Sequence, residues 1–354
     1  MRRLLKAFLC VTVTIAAQQA PPVPAAGAQE EPVFRSDTRL VVLQVSVKDK
    51  DGKPIEGLTA KDFNVTEASV AQNVAFLEFQ KLADVKAAPV PTAPVAPVAR
   101  LARTQIASER PGDLKYTDRR LLALYFDLSA MPPPDQLRAL DAAQKFVREQ
   151  MTPADLMAIL VYSGGEVLVH EDFTADRERL LSTIETMIVG EDESVPEPAT
   201  DGAFGQSGGE FAIFRTDRQL SALQTAAKML GTLNEKKSLI YFASGLSLNG
   251  TDNQAQLRAT VNAASKAGVS FYPVDARGLV ASAPMGDATR ASQGGVGMYS
   301  GRGALTAMTD MQRSQDTLWS LAADTGGKAL LDSNDLGRGI VQAQEAITSY
   351  YVLG

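Results

Sequence analysis

The sequence predicts an α/β fold: an open, mostly parallel sheet with helices on both faces, preceded by a small β unit. Three observations carry this. From residue 117 onward, strand-like runs alternate with helical patterns, as in chains that build parallel sheets. Residues 121–126 (Leu-Leu-Ala-Leu-Tyr-Phe) are apolar without alternation, as expected of a strand buried on both faces. That run ends abruptly in Asp127-Leu128-Ser129, followed by Pro132-Pro133-Pro134 and a helical pattern. Hard oxygen ligands are thereby delivered to the carboxyl end of a strand, where open α/β sheets bind their ligands.

The elements follow in order. Residues 1–28 read as a secretory signal: Arg2, Arg3 and Lys6 form a basic start, residues 7–17 a short apolar stretch, and Ala26-Gly27-Ala28 a small-x-small cleavage pattern before Gln29. An uncleaved anchor is the alternative, but the apolar stretch falls short of the roughly 20 residues a bilayer requires. Cleavage would remove three cations and no acid, taking the net charge from −6 to −9. So acidic a chain lacks the basic surface that nonspecific nucleic-acid binding needs. Cys10 is the only cysteine and would leave with the signal, excluding disulfides, thiol nucleophiles and Cys-based zinc sites. No later run approaches membrane-spanning length, so the expectation is a periplasmic or secreted protein with no membrane insertion after cleavage.

Residues 33–81 predict the small β unit, with strands over 40–47, 63–67 and 74–79 and a hairpin turn at Asp51-Gly52. About 50 residues are marginal alone, so this immunoglobulin-like unit is expected to pack on its neighbour. Residues 82–114 form a Pro/Ala-rich linker, extended and without a core. Residues 115–354 are the α/β domain. The first helix is expected over 135–150, with Leu137, Leu140, Phe146 and Val147 at helical spacing. Strands follow over 156–162 and 166–170, joined through Ser163-Gly164-Gly165, and then a helix over 176–187 with Asp176 near its N-cap. Residues 190–214 read as an acidic, Gly-rich loop, 216–233 as a helix, 238–243 as a central strand, 253–267 as a helix and 269–274 as a strand. Residues 276–313, rich in Gly, Ser and Met, read as a long loop. Helix 314–325, strand 329–331, helix 336–348 and strand 350–353 complete the domain. Because the chain stops directly after that strand, more protein is expected to follow Gly354 in the natural product.

Order, length and motif position resemble a von Willebrand factor A-type (Rossmann-like) domain over residues 115–354. Further blocks narrow the likeness: Asp51-Gly52-Lys53-Pro54, residues 57–63 (Gly-Leu-Thr-Ala-Lys-Asp-Phe), 241–247 (Tyr-Phe-Ala-Ser-Gly-Leu-Ser), 272–279, Thr325-Gly326-Gly327-Lys328-Ala329 and 349–354. With the exported N-terminus, they are similar to the von Willebrand factor A-related proteins of the acidobacterial type. The resemblance implies a metal-ion-dependent adhesion site, Asp-x-Ser-x-Ser, and it carries over one residue at a time. Asp127 and Ser129 match the first two ligands, and Thr216 is the counterpart of the Thr that begins the helix before the central strand. Met131 stands where a second Ser belongs, and Ala243-Ser244-Gly245 replaces the Thr-Asp-Gly triplet, so Ser244 has no carboxylate. The site is degenerate, with weak Mg²⁺ or Mn²⁺ binding as its residual capacity, and Asp252 is the nearest acid that could reach back. The competing explanation for Asp127 and Ser129 is structural: both residue types cap backbone N–H groups at the start of a helix.

Catalysis finds little support. Gly245-Leu246-Ser247-Leu248-Asn249 is similar to a hydrolase nucleophile elbow but lacks the final Gly, and the only histidine, His170, lies upstream of the Ser. No Gly-rich phosphate cradle follows a strand, and the Glu191-Asp192-Glu193 run suits a solvated loop. The expected function is therefore a non-enzymatic, exported protein-binding or adhesion module. Its partner, a protein, would dock on the rim of 127–135, 214–218 and 244–252, with Met131 offering apolar contact. A scaffold domain of a larger envelope protein and, further off, a cryptic hydrolase are the rival functions.

Overall fold

The protein, described from a computed structural model, is defined over residues 41–50, 53–82, 104–107, 115–116, 119–187, 189, 207–248, 250–279 and 302–354. The side chains of 207–212, 250, 252 and 302–307 are outside that description. So are the expected signal (1–28), nearly all of the linker, the acidic run at 191–193 and residues 280–301 of the Gly-rich stretch.

The larger sheet is built from β5 (Arg120–Asp127), β6 (Asp155–Ser163), β7 (Glu166–Thr174), β8 (Lys237–Ala243) and β9 (Val269–Asp275). Its spatial order is β7-β6-β5-β8-β9, parallel except for the β6–β7 hairpin. Leu330 adds a parallel bridge beside Val274. Counted by appearance, the order is third, second, first, fourth, fifth, which is the Rossmann-like sequence of strands. Growth of the sheet reverses between β5 and β8, so the loops after those two strands flank the topological switch point.

Strand alternation divides the core into two layers. Leu122, Leu124 and Phe126 face α1 (Pro133–Glu149), α2 (Arg177–Glu185) and α6 (Gly337–Ala346) through Leu140, Phe146, Leu180 and Ile340. Leu121, Ala123 and Tyr125 face α3 (Ser207–Leu230), α4 (Gly250–Lys266) and α5 (Arg302–Asp324) through Leu223, Leu257 and Leu318. Burial on both sides is why β5 reads as an uninterrupted apolar run. The Phe126 and Phe242 rings stack in the first layer at 5.0 Å. A buried side chain of this size contributes about 1.5–3 kcal/mol.

Ahead of this lie β1 (Leu43–Val45), β2 (Val65–Glu67), β3 (Val70–Gln72) and β4 (Leu77–Lys81). β2 and β3 form a hairpin, and β10 (Ser349–Leu353) pairs antiparallel between β1 and β4. The last strand therefore belongs to the small sheet and not, as expected, to the α/β sheet. Tyr351 anchors it: its ring packs on Phe63 and Phe79, and its hydroxyl donates to the Ile55 carbonyl and accepts from the Leu58 N–H.

Other expectations need adjusting. α3 begins at Ser207, inside the stretch read as a loop, and α5 begins at Arg302, inside the supposed 276–313 loop. Gly208, Gly209 and Gly303, poor helix formers, mask both starts in the sequence. Residues 329–331 contribute only the Leu330 bridge. Leu137 is 54% exposed although its spacing fits the apolar stripe of α1. The Asp176 N-cap is present, its carboxylate accepting from the Arg179 N–H at 3.1 Å.

Candidate functional site at the carboxyl edge of the sheet

The loop after β5 is built to hold its shape. The Leu128 N–H donates to the Tyr162 carbonyl, and the Ala130 and Met131 N–H groups turn back to the Asp127 carbonyl. Gln136, buried on α1, donates from Nε2 to the Leu128 and Met131 carbonyls at 3.0 and 2.8 Å. Met131 is itself buried in the first core layer, 3% exposed. It anchors the loop and offers no contact to a partner, contrary to expectation, because a thioether left in water here would forgo the burial that the Leu128–Met131 turn permits.

Asp127 is 1% exposed. Its Oδ1 accepts from the exposed Ser129 hydroxyl at 2.9 Å; its Oδ2 accepts from Gln219 Nε2 at 2.7 Å and from the Tyr241 hydroxyl at 3.0 Å. Burial pushes the carboxyl above its ordinary range, and the bonds from Gln219, Ser129, Tyr241 and the Ala130 N–H pull the other way. The Tyr241 hydroxyl is pushed well above its usual value, first by burial and then by the Asp127 charge. Asp127 and Ser129 are thus brought together as the sequence suggests. Thr216 is not shown joining them: its hydroxyl donates to the Ser247 carbonyl at 2.8 Å, tying α3 to the loop after β8. The α3 residue that does meet Asp127 is Gln219, three positions further on.

Ser244, in the place of the missing Asp, donates to Asp135 Oδ2 at 2.5 Å, and Arg138 donates to Asp135 Oδ1 at 2.5 Å. Asp135 is 7% exposed at the start of α1. A third carboxylate, Asp275 at the end of β9, is 1% exposed and held in a fork by Arg277: Nε to Oδ1 at 2.8 Å, Nη2 to Oδ2 at 2.7 Å. Arg277 Nη2 also reaches the Ser314 hydroxyl at 2.9 Å. Gly245 permits this approach. Its φ is +93°, and a Cβ there would stand 2.9 Å from Ser314 Oγ and 3.0 Å from the Arg277 guanidinium. The Asp252 side chain lies outside the described residues.

Sequence reasoning missed Gln219, Tyr241, Asp135, Arg138 and Arg277. A period-two reading of β8 was the available signal for Tyr241, since it pairs with Tyr125 on the face that carries Asp127. His170 is exposed on β7, an edge strand three positions from β8, or about 14 Å at the usual strand spacing. Among the described residues no group of three or more His, Cys, Asp or Glu side chains is placed to hold a metal ion. No described helix is long and apolar enough to cross a membrane.

The fold defines an open α/β protein of Rossmann-like strand order with a polar cluster at its switch point. No protein-family profile matches the chain, and neither does any curated protein. Solved structures similar to it include an aerotolerance-related membrane protein from Bacteroides fragilis, 12% identical, with TM-score 0.39 over 64% of this chain and 98% of that one. A pilus adhesin, SpaC, from Lactobacillus rhamnosus GG is 8% identical, with TM-score 0.35 over 65% of this chain and 30% of that one. Proximal thread matrix protein 1 from the mussel byssus is 13% identical, with TM-score 0.26 over 44% of this chain and 38% of that one. The fold assignment rests on the strand order and not on these alignments.

Proposed function

We propose that this chain is an exported, non-enzymatic protein-binding module that uses the carboxyl edge of its sheet and does so without a bound metal. The observation that carries the reading is the saturation of Asp127: both carboxylate oxygens accept from Ser129, Gln219 and Tyr241. A divalent cation prefers several oxygens in near-octahedral array. To reach Asp127 it would have to displace internal donors, in a setting where Ser244 supplies no carboxylate and Thr216 is bonded to Ser247. The donor set suits a hydrogen-bonded structural carboxylate better than it suits Mg²⁺ or Mn²⁺.

Docking at this edge is supported by the switch point between β5 and β8, where open α/β sheets take their ligands. The absence of catalysis is supported by the separation of His170 from the loop that holds Ser247. Two experiments test the reading. Titration calorimetry with Mg²⁺ and Mn²⁺ is expected to show no saturable heat; saturable binding that vanishes in Asp127→Ala would restore the metal site. A photo-crosslinking residue at position 130 or 248 is expected to capture a protein partner in the native host, while one at position 319 on α5 captures none. Adducts at 319 alone would move the interaction surface away from this edge.

A further inference from the structure

The carboxyl edge carries two arginines whose donors are only partly used. Arg277 spends Nε and Nη2 on Asp275 and Ser314, and Arg138 spends Nη2 on Asp135. Nη1 of each guanidinium donates to none of the described residues, and each lies against a glycine of positive φ in the loops that follow β8 and β9. A Cβ on Gly245 would be 3.0 Å from Arg277 Nη1, and one on Gly278 (φ +67°) would be 3.0 Å from Arg138 Nη1. The Arg138 side chain is 44% exposed and that of Arg277 15%, while their aspartates stay buried. The amino ends of α1 and α4, which follow β5 and β8, open at the same edge and add partial positive charge.

We propose that Arg138 and Arg277 form a metal-free recognition site for carboxylate, an Asp or Glu side chain of the partner protein. The proposal rests on the docking edge proposed above and specifies its chemistry. Asp135 and Asp275 neutralise the arginines at rest and fix their planes, so the remaining N–H groups are oriented before any ligand arrives. What remains on each is the Nη1 amino group, held in a fixed guanidinium plane and suited to a carboxylate oxygen, whereas a lysine offers only a point charge. The glycines let the backbone pack closely against each guanidinium, which helps to fix its plane.

The test uses the full-length protein in EDTA, titrated with an acetylated Gly-Glu-Glu-Gly peptide, its Gly-Gln-Gln-Gly counterpart and inorganic phosphate. The Glu peptide is expected to bind at least about tenfold more tightly than the Gln peptide, in keeping with the strength of charge-assisted hydrogen bonds. Arg138→Gln and Arg277→Lys are each expected to lower that affinity about tenfold. Arg277→Lys keeps a cation on buried Asp275, and circular dichroism of the variant checks that the fold is retained. Arg313→Gln, at an exposed arginine of α5, is expected to change nothing. Equal binding of the two peptides, binding unchanged in both variants, or phosphate binding as tightly as the Glu peptide would each overturn the carboxylate assignment. If the peptide fails while crosslinks at 130 and 248 persist, this inference falls and the docking edge stands.

Discussion

The two ends of the parallel sheet treat buried charge in opposite ways. At the carboxyl edge, three aspartates (Asp127, Asp135 and Asp275) are each held by hydroxyl, amide or guanidinium donors. At the amino edge the buried charges are mostly cations. Lys237 is fully buried and donates from Nζ to the Leu233 carbonyl just past α3, and Lys236, 5% exposed, stands 5.8 Å from the Tyr350 ring. Buried Asp155 stands among them, in ion contact with Arg120 at 2.7 Å and accepting from Thr152 and Gln344. Helix macrodipoles account for the contrast: helix amino ends open at the carboxyl edge and favour anions, while helix carboxyl ends at the other edge favour cations. One edge leaves guanidinium donors unspent and the other turns its charges inward. The amino edge serves stability.

The sharpest way to break the comparison is to remove one partner of the amino-edge pair. Asp155→Ala strands the buried Arg120 charge and is expected to cost about 3–5 kcal/mol in urea unfolding. A loss below 1 kcal/mol would mean the edge is not the stability element described.

The second largest effect depends on pH. Burial, with Lys48 adding to it at Lys236, lowers both lysines to about 8 from the usual 10.5. Below pH 8 they are protonated in folded and unfolded chains alike, and the cost of burying them is constant. Between pH 8 and 10 the folded protein has released protons that the unfolded chain still binds, so stability rises. The slope is up to about 1.4 kcal/mol per pH unit for each lysine. The rise stops near pH 10, where Tyr125, Tyr241 and Tyr272, held protonated by burial, ionise only in the unfolded chain. Chemical denaturation across this range should show the rise, and Lys237→Met should remove about half of it; a flat profile in the parent protein would contradict the assignment.

At the carboxyl edge, Gln219→Leu takes one donor from a buried carboxylate and is expected to cost about 1–3 kcal/mol. The cost should be the same with and without Mg²⁺ when melting is followed by circular dichroism. Smallest is Thr216→Val, which loses one bond to the Ser247 carbonyl and is expected to cost about 1 kcal/mol. If Thr216→Val proved more damaging than Gln219→Leu, Thr216 and not Gln219 would be the α3 residue that matters to this edge.

What could be read from the sequence follows the range of each interaction. β5, β8 and β9 are legible because burial on both faces writes itself as unbroken apolar runs. Asp127 and Ser129 are legible because they sit where such a run stops. The donors that satisfy Asp127 are not, since Gln219 and Tyr241 come from 92 and 114 residues away and pattern alone does not pair them. The same limit hides β10, whose alternation fits either sheet until Leu353 is seen opposite both Leu43 and Leu77. Leu137 shows the reverse case, a residue whose spacing is right but whose side chain faces water while Asp135 and Gln136 beside it are buried.

The placement of β10 also sets a timetable. β1 and β4 are joined only through a strand made some 270 residues after β4, so the small sheet cannot close until nearly all of the described chain has been synthesised. Contacts so distant in sequence form late and slowly, after the entropy of closing the intervening loop has been met. The five-stranded sheet, whose neighbouring strands are closer in sequence, can assemble first and wait. β1 and β4 are then latecomers to their own fold, ordered by β10 and not by their neighbours in sequence.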